Sequence, residues 1–280
     1  MIAKATRKKP ASAGFLLVQP AIVAMTLACL AAPLLAQDYE KEQRWATDIQ
    51  STLMVGDAVW LTQKNGHRFL TLYTEPAEAL GPSGKASAPR GALIIAHGRG
   101  WSPDFELYGT LRTRLAESGY TTLSIQLPVL PSTAKLGDYK PVYPDAIERF
   151  TLAAEFLKGK GYTNIAIVSH SLGATMANQY LISTEDKTVK AWVFIGIING
   201  LEEMYRIRIP VLDVFGSKDW DIARWGADER KAEIAKVQGS EQVIVPGAEH
   251  FFEGKEDVLV RVIDAFLSRV FDTSRANRGR

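Results

Sequence analysis

The segment Ile165-Ala-Ile-Val-Ser169-His170-Ser171-Leu172-Gly173-Ala174 constrains this chain more than any other. An apolar β-type run meets a turn only a few residues long, and a helix-forming run follows at once. Small residues, Ser169 and Gly173, flank Ser171 two positions away on either side. This is the spacing of the nucleophile elbow, written G-x-S-x-G, with Ser169 standing at the first glycine. Such a turn lifts a serine hydroxyl above the end of a strand, and the helix that starts there aims backbone N–H groups at the same point. The plainer alternative is that Ser171 only caps the helix.

A serine nucleophile needs a histidine base and an acid to orient it, in the chain order Ser, acid, His for this kind of turn. The chain has four histidines, His67, His97, His170 and His250. Only His250, in Val245-Pro-Gly-Ala-Glu-His250-Phe, follows Ser171 with room for an acid between them. The acid is expected in Gly216-Ser-Lys-Asp219-Trp-Asp221, after the β-type run Pro210–Phe215. Asp219 is the first choice, Asp221 the second, and Asp213 is disfavoured because it lies inside the strand; a surface Asp–Arg pair is the bland reading of each. The loop His97-Gly98-Arg99-Gly100-Trp101 follows another apolar run, and its glycines allow close backbone approach. The N–H groups of Arg99 and Leu172 are the expected oxyanion donors. The Arg99 side chain either meets an anionic group or is simply solvated.

The rest of the chain alternates strand and helix patterns. β-Type runs at 53–62 and 67–74 are split by Lys64-Asn65-Gly66, a hairpin signal. Residues 81–89 read as loop. Strands are expected at 91–96, 120–127, 164–169, 189–197, 210–215 and 242–245. Helices are expected at 103–117, 144–157, 172–183, 222–237 and 256–271, with a Pro-rich loop at 128–143. The last helix carries Leu259, Val262, Ile263, Phe266, Leu267 and Val270 at core-facing spacing. An α/β fold follows: eight strands in an open, mostly parallel sheet with helices on both faces, forming one domain over 52–271.

Composition supports this and excludes other classes. At 46% hydrophobic and 23% charged residues over 280 positions, the chain can build a large core. A formal net charge of +2 is too balanced for a nucleic-acid binder. One cysteine, Cys29, excludes an internal disulfide. The histidines lack ligand spacing, so no metal is expected, and no cofactor motif appears. A dinucleotide site fails because Pro103 stands at the third glycine of Gly98-Arg-Gly100-Trp-Ser-Pro103 and Gln126 where an acid is needed.

The charge hides an asymmetry. Residues 1–36 hold Lys4, Arg7, Lys8 and Lys9 and no acid, then an apolar run of 16 residues from Ala21 to Ala36. This reads as a signal peptide cleaved near Ala36, placing the protein in the periplasm or outside the cell. The alternatives are an uncleaved membrane anchor, the sole expected membrane contact, and lipidation at Cys29. Residues 37–51 are an N-terminal extension, and 272–280 a basic, frayed tail. Without residues 1–36 the formal charge moves from +2 to −2.

On these motifs the sequence resembles the α/β-hydrolase superfamily over 52–271. The matching phrases are His97-Gly98-Arg99-Gly100, the Ser169–Gly173 elbow, the Gly216–Asp219 turn and the late His250. Gly91–Leu130 is also similar to a proteobacterial family of secreted α/β-hydrolase-like proteins of unknown function, through Leu111-Arg112 and Tyr120–Pro128. The resemblance implies ester, thioester or amide hydrolysis through an acyl-enzyme: Ser171 attacks, His250 moves the proton, Asp219 orients it, and His97 and His170 are structural neighbours. The partner it implies is a small acyl substrate. The segment 199–209 is short for a lid, so the expected site is open, with Trp101, Tyr139, Tyr143 and Trp220 as candidate wall residues. A catalytically weak or inactive binding protein of the same fold is the competing reading.

Overall fold

A computed structural model describes residues 37–76, 89–185, 187–198 and 200–278, with side chains up to 273. The segment expected to be a signal peptide, Cys29 and nearly all of the loop 81–89 therefore lie outside the described residues. Among the described residues no helix is long and apolar enough to cross a membrane.

The eight strands are β1 (Asp57–Thr62), β2 (Arg68–Thr74), β3 (Ala92–Ala96), β4 (Thr121–Ile125), β5 (Ile165–His170), β6 (Val189–Ile195), β7 (Val211–Gly216) and β8 (Glu241–Val245). They form one sheet in the order β1-β2-β4-β3-β5-β6-β7-β8. β1 pairs antiparallel with β2, and β2 antiparallel with β4; every later pairing is parallel. The hairpin closes where the spacing of Asn65-Gly66 requires, with the Gln63 N–H donating to the His67 carbonyl. β3, β4, β5 and β7 are buried along their whole length. That is why β3 and Ile165–Val168 of β5 read as continuous apolar runs, while β4 and β7 bury the polar Thr121, Thr122, Ser124 and Asp213 among their apolar residues.

Seven helices cover the sheet: α1 (Tyr39–Thr52), α2 (Leu107–Glu117), α3 (Tyr143–Gly159), α4 (Leu172–Ser183), α5 (Asp221–Arg224), α6 (Ala227–Ile234) and α7 (Glu256–Arg278). Side chains alternate across each strand. Ile94, Ile167 and Trp192 pack with Phe150 of α3 and Tyr180 of α4 on one face. Ile95, Val168 and Val193 pack with Leu111 of α2 and Phe266 of α7 on the other.

Several boundaries differ from expectation, each for a tertiary reason. Residues 37–51 are not a loose extension. They form α1, capped by Asp38, whose carboxylate accepts the Lys41 N–H at 2.9 Å. Ala46 and Ile49 pack on Leu70 and Leu72 of β2. Glu42 is buried and bridges Arg149 of α3 at 3.0 Å and His67 at 3.1 Å. Burial pushes the Glu42 carboxyl up, but Arg149, His67 and Gln37 together outweigh it and hold it below its ordinary value.

The first strand begins at Asp57 rather than 53, because the chain leaving α1 at Thr52 turns through Gly56, at φ +79°, before it can pair with β2. α2 starts at Leu107, not Pro103; residues 103–106 turn over the end of β4, where the Pro103 carbonyl accepts the Ser124 hydroxyl. The loop 128–143 contains a 3-10 helix, Leu136–Val142. The expected helix 222–237 is two helices. The Arg230 guanidinium donates to the carbonyls of Trp225 and Ala223 and to Asp213, folding α6 back on the end of α5. α7 runs to Arg278, so most of the tail 272–280 continues the helix. Between β6 and β7 the described helix is one 3-10 turn, Met204–Arg206; there is no lid helix among the described residues.

Candidate active site

β5 ends at His170, and the chain reverses into α4 at Ser171, which adopts φ +54° and ψ −124°. A non-glycine residue in this region is strained, and such strain persists only where surrounding structure imposes it. The constraint is visible at Gly173: a Cβ there would lie 2.2 Å from the His97 carbonyl oxygen. Only glycine lets α4 start this close to the β3 loop. At the other flank Ser169 is accommodated, since its hydroxyl donates to the Val193 carbonyl at 3.2 Å and accepts the Trp192 indole N–H at 2.9 Å. The serine that stands for glycine thus ties β5 to β6. Ser171 makes no side-chain capping bond to its helix.

The Ser171 hydroxyl lies 3.0 Å from His250 Nε2, and His250 Nδ1 lies 2.6 Å from Asp219 Oδ1. A carboxylate only accepts, so Nδ1 carries the proton and Nε2 faces the hydroxyl. Asp219 Oδ1 also accepts the Trp220 N–H at 2.7 Å, which fixes the carboxylate. All three side chains are buried. Gly196, at the end of β6, clears space for the pair: a Cβ there would lie 2.9 Å from Asp219 Oδ2 and 3.1 Å from His250 Nδ1. The alternatives for the acid are occupied elsewhere. Asp213 is buried against Arg230 at 2.9 Å, and Asp221 is exposed and paired with Arg224.

His170 is held by a one-way chain of donors. The Gly98 N–H donates to the Tyr108 hydroxyl at 2.8 Å, which lies 2.8 Å from His170 Nδ1. His170 Nε2 lies 2.9 Å from the His250 carbonyl, so it must carry the proton, and Tyr108 donates to Nδ1. The chain links the 97–101 loop to the loop bearing His250. Burial, and then the neighbouring His250, push His170 well below its ordinary value, and burial raises the Tyr108 phenol. His97 is likewise neutral: its Nε2 accepts the Leu127 N–H at 2.9 Å, its Nδ1 bonds the Gly98 carbonyl, and burial lowers its pKa to about 4. Neither histidine touches the Ser171 hydroxyl.

Because the Gly98 N–H is spent on Tyr108, the next donor along the loop is Arg99. The N–H groups of Arg99 and Leu172 have no acceptor among the described residues. Leu172 is the first residue of α4, where backbone donors are unused by the helix.

A pocket of about 400 Å3 opens on Ser171 and is walled by Trp101, Leu136, Ile198, Trp220, Ile222 and Phe251, with Arg99 at its rim. Trp101 stacks on Phe105 at 3.7 Å and meets Phe251 edge-on. Trp220 stacks on the His250 imidazole at 3.7 Å. Of the four wall residues expected, Trp101 and Trp220 line this pocket. Tyr139 does not: it is buried in the core, and its hydroxyl accepts the Leu130 N–H. Tyr143 does not either; it packs against the α3–α4 core. Both sit on the inner side of the 3-10 helix and the start of α3. Leu136, Ile198, Ile222 and Phe251 had no distinguishing signal, apart from Phe251 being next to His250. Tyr108 looked like an ordinary core position on α2.

No protein-family model matches the sequence, and no curated protein matches it. Solved structures do match. A lidless α/β serine hydrolase from Xanthomonas campestris superposes with a TM-score of 0.59 at 15% identity, over 77% of this chain and 95% of that one. An esterase from Pyrococcus furiosus gives 0.59 at 14% identity, over 80% and 94%. The esterase domain of a Rhodothermus marinus protein gives 0.56 at 17% identity, over 77% and 98%. With its strand order, its elbow and these likenesses, the chain has the α/β-hydrolase fold.

Proposed function

We propose that the protein is a serine hydrolase acting on a carboxylic ester, with Ser171 as nucleophile, His250 as general base and Asp219 as orienting acid. The observation that carries this reading is the hydrogen-bonded series Ser171–His250–Asp219, at 3.0 Å and 2.6 Å, set on a strained turn. In the first half-reaction the Ser171 oxygen adds to the ester carbonyl as its proton passes to His250 Nε2. The tetrahedral oxyanion accepts the N–H groups of Arg99 and Leu172. The C–O bond to the alcohol then breaks, and the departing oxygen takes the proton from His250. In the second half-reaction water, deprotonated by His250, attacks the acyl-enzyme, releasing the carboxylic acid and restoring the serine. Asp219 holds the imidazole in the tautomer these steps need.

Thioesters and amides have the same geometry of attack and are the neighbouring substrate classes. Trp101 and Trp220 serve as walls for the substrate, and with no lid helix among the described residues the pocket suits short to medium acyl groups. The basic and apolar character of residues 1–36 supports an envelope or secreted location.

A fluorophosphonate probe tests the assignment. It labels the wild-type protein and fails to label Ser171→Ala or His250→Ala. Equal labelling of Ser171→Ala removes the nucleophile, and no labelling of wild type replaces the hydrolase by a binding protein of the same fold.

A further inference from the structure

Most arginines of the described chain are neutralised by a carboxylate. Arg90 pairs with Asp264, Arg112 with Asp104, Arg149 with Glu42 and Arg230 with Asp213. Arg99 has no such partner among the described residues. Its one hydrogen bond runs from Nη1 to the Ala134 carbonyl at 3.3 Å, leaving the rest of a five-donor fork unspent. That bond ties the side chain to the turn before Leu136, and Arg99 and Leu136 both line the pocket. Besides Ser171 and the two histidines, His170 and His250, the other lining side chains are aromatic or aliphatic, so Arg99 is the one permanently charged side chain among the lining residues. On α5, Asp221 is already paired with Arg224.

We infer that the pocket takes short esters bearing a free carboxylate, received by the Arg99 guanidinium while the ester carbonyl lies at Ser171. This rests on the reading of Ser171 as an ester-cleaving nucleophile. The physical basis is geometric. A planar guanidinium matches a carboxylate through two parallel N–H···O bonds, and Arg99 is exposed, so its unspent donors are open to an incoming anion. The backbone N–H of the same residue, which has no acceptor among the described residues, is the proposed oxyanion donor. One residue therefore reads both ends of a short, anionic ester, while Trp101 and Phe251 hold its carbon chain.

The experiment compares methyl butyrate with two anionic counterparts, monomethyl succinate and carboxymethyl butyrate, by pH-stat titration. These place the carboxylate on the acyl and the alcohol side respectively. The ratio of kcat/KM between an anionic and the neutral ester cancels effects on the shared oxyanion donors. The wild type prefers at least one anionic ester. Arg99→Gln lowers that preference about tenfold, the scale of a charge-assisted bond, and Arg99→Lys keeps part of it. The preference also shrinks as salt is raised. An unchanged ratio in Arg99→Gln, or a wild type that favours methyl butyrate, overturns the inference. If Ser171 takes the fluorophosphonate while neither anionic ester is preferred, the inference fails and the hydrolase reading stands. If Ser171 is not labelled, both fall.

Discussion

The indole of Trp220 lies flat on the imidazole of His250, with ring centroids 3.7 Å apart and planes 19° from parallel, although Trp220 is 51% exposed. Phe251 meets the same imidazole edge-on at 5.3 Å. An aromatic face attracts a cation, so in the proposed reaction this stack favours the imidazolium formed when Ser171 gives up its proton. Trp220→Leu is expected to lower kcat on ester substrates about tenfold, within the range of one cation–π contact, with little change in KM. Trp220→Phe restores most of it. Steady-state kinetics on acetate and butyrate esters check this: a loss confined to KM, or one that grows with acyl length, makes Trp220 a substrate wall only.

The three aspartates after β6 separate by role. Asp219→Asn reverses the hydrogen bond that sets the His250 tautomer, and kcat is expected to fall by about three to four orders of magnitude with the fold intact. Asp221→Asn loses only an exposed ion pair, and stability stays within about 0.5 kcal/mol. Asp213→Ala leaves the buried Arg230 charge unpaired, at a cost of about 3–5 kcal/mol. Esterase assays beside urea denaturation distinguish the three. Activity retained in Asp219→Asn removes Asp219 from the site.

The two flanks of the elbow differ in tolerance. Gly173→Ala forces a Cβ against the His97 carbonyl, so the variant is expected to express poorly or melt well below wild type. Ser169→Gly removes the acceptor of the Trp192 indole N–H, and about 1–3 kcal/mol with it. Its fluorophosphonate labelling persists, because the turn itself favours glycine there. Thermal melts with probe labelling check both, and a Gly173→Ala protein as stable as wild type contradicts the crowding argument.

Acid should destabilise the fold through His97 and His170. Both have folded-state pKa values below the ordinary histidine value, His97 at about 4. Below pH 6.5 the unfolded chain takes up protons that these folded residues refuse. Stability is therefore full above about pH 6.5 and falls as pH drops toward 4, by up to about 1.4 kcal/mol per pH unit for each histidine. Urea denaturation between pH 7 and 4.5 measures the slope. His97→Asn, which keeps a neutral polar side chain, should remove one histidine's share; an unchanged slope shows that other groups carry it.

Much of the fold was legible because its signals are local. Ile165–Val168 is a run that only a doubly covered strand can bury, and Asn65-Gly66 closes a hairpin wherever two β-type runs flank it. Ser171, Asp219 and His250 were legible for a different reason: the fold allows one chain order, and four histidines leave one candidate. Helix α1 was missed because its core-facing stripe opens with Glu42, a charge that reads as solvent-facing until Arg149 pairs with it and His67 hydrogen-bonds it. The break between α5 and α6 was missed because it depends on Arg230 reaching carbonyls of the preceding helix.

The sequence by itself determined the sheet, the elbow and the identity of the three polar residues. These follow from hydrophobic periodicity, backbone sterics and chain order, which act over a few residues or along one dimension. The tertiary structure alone decided that Tyr139 and Tyr143 belong to the core while Leu136, Ile198 and Phe251 wall the pocket. It also decided that Tyr108 joins the 97–101 loop, through His170, to the loop bearing His250, and that Trp220 stacks on His250. Those relationships join residues distant in the chain, as the bond between His170 and His250 does across 80 positions. Their neighbours are set by packing in three dimensions, and no local propensity records them.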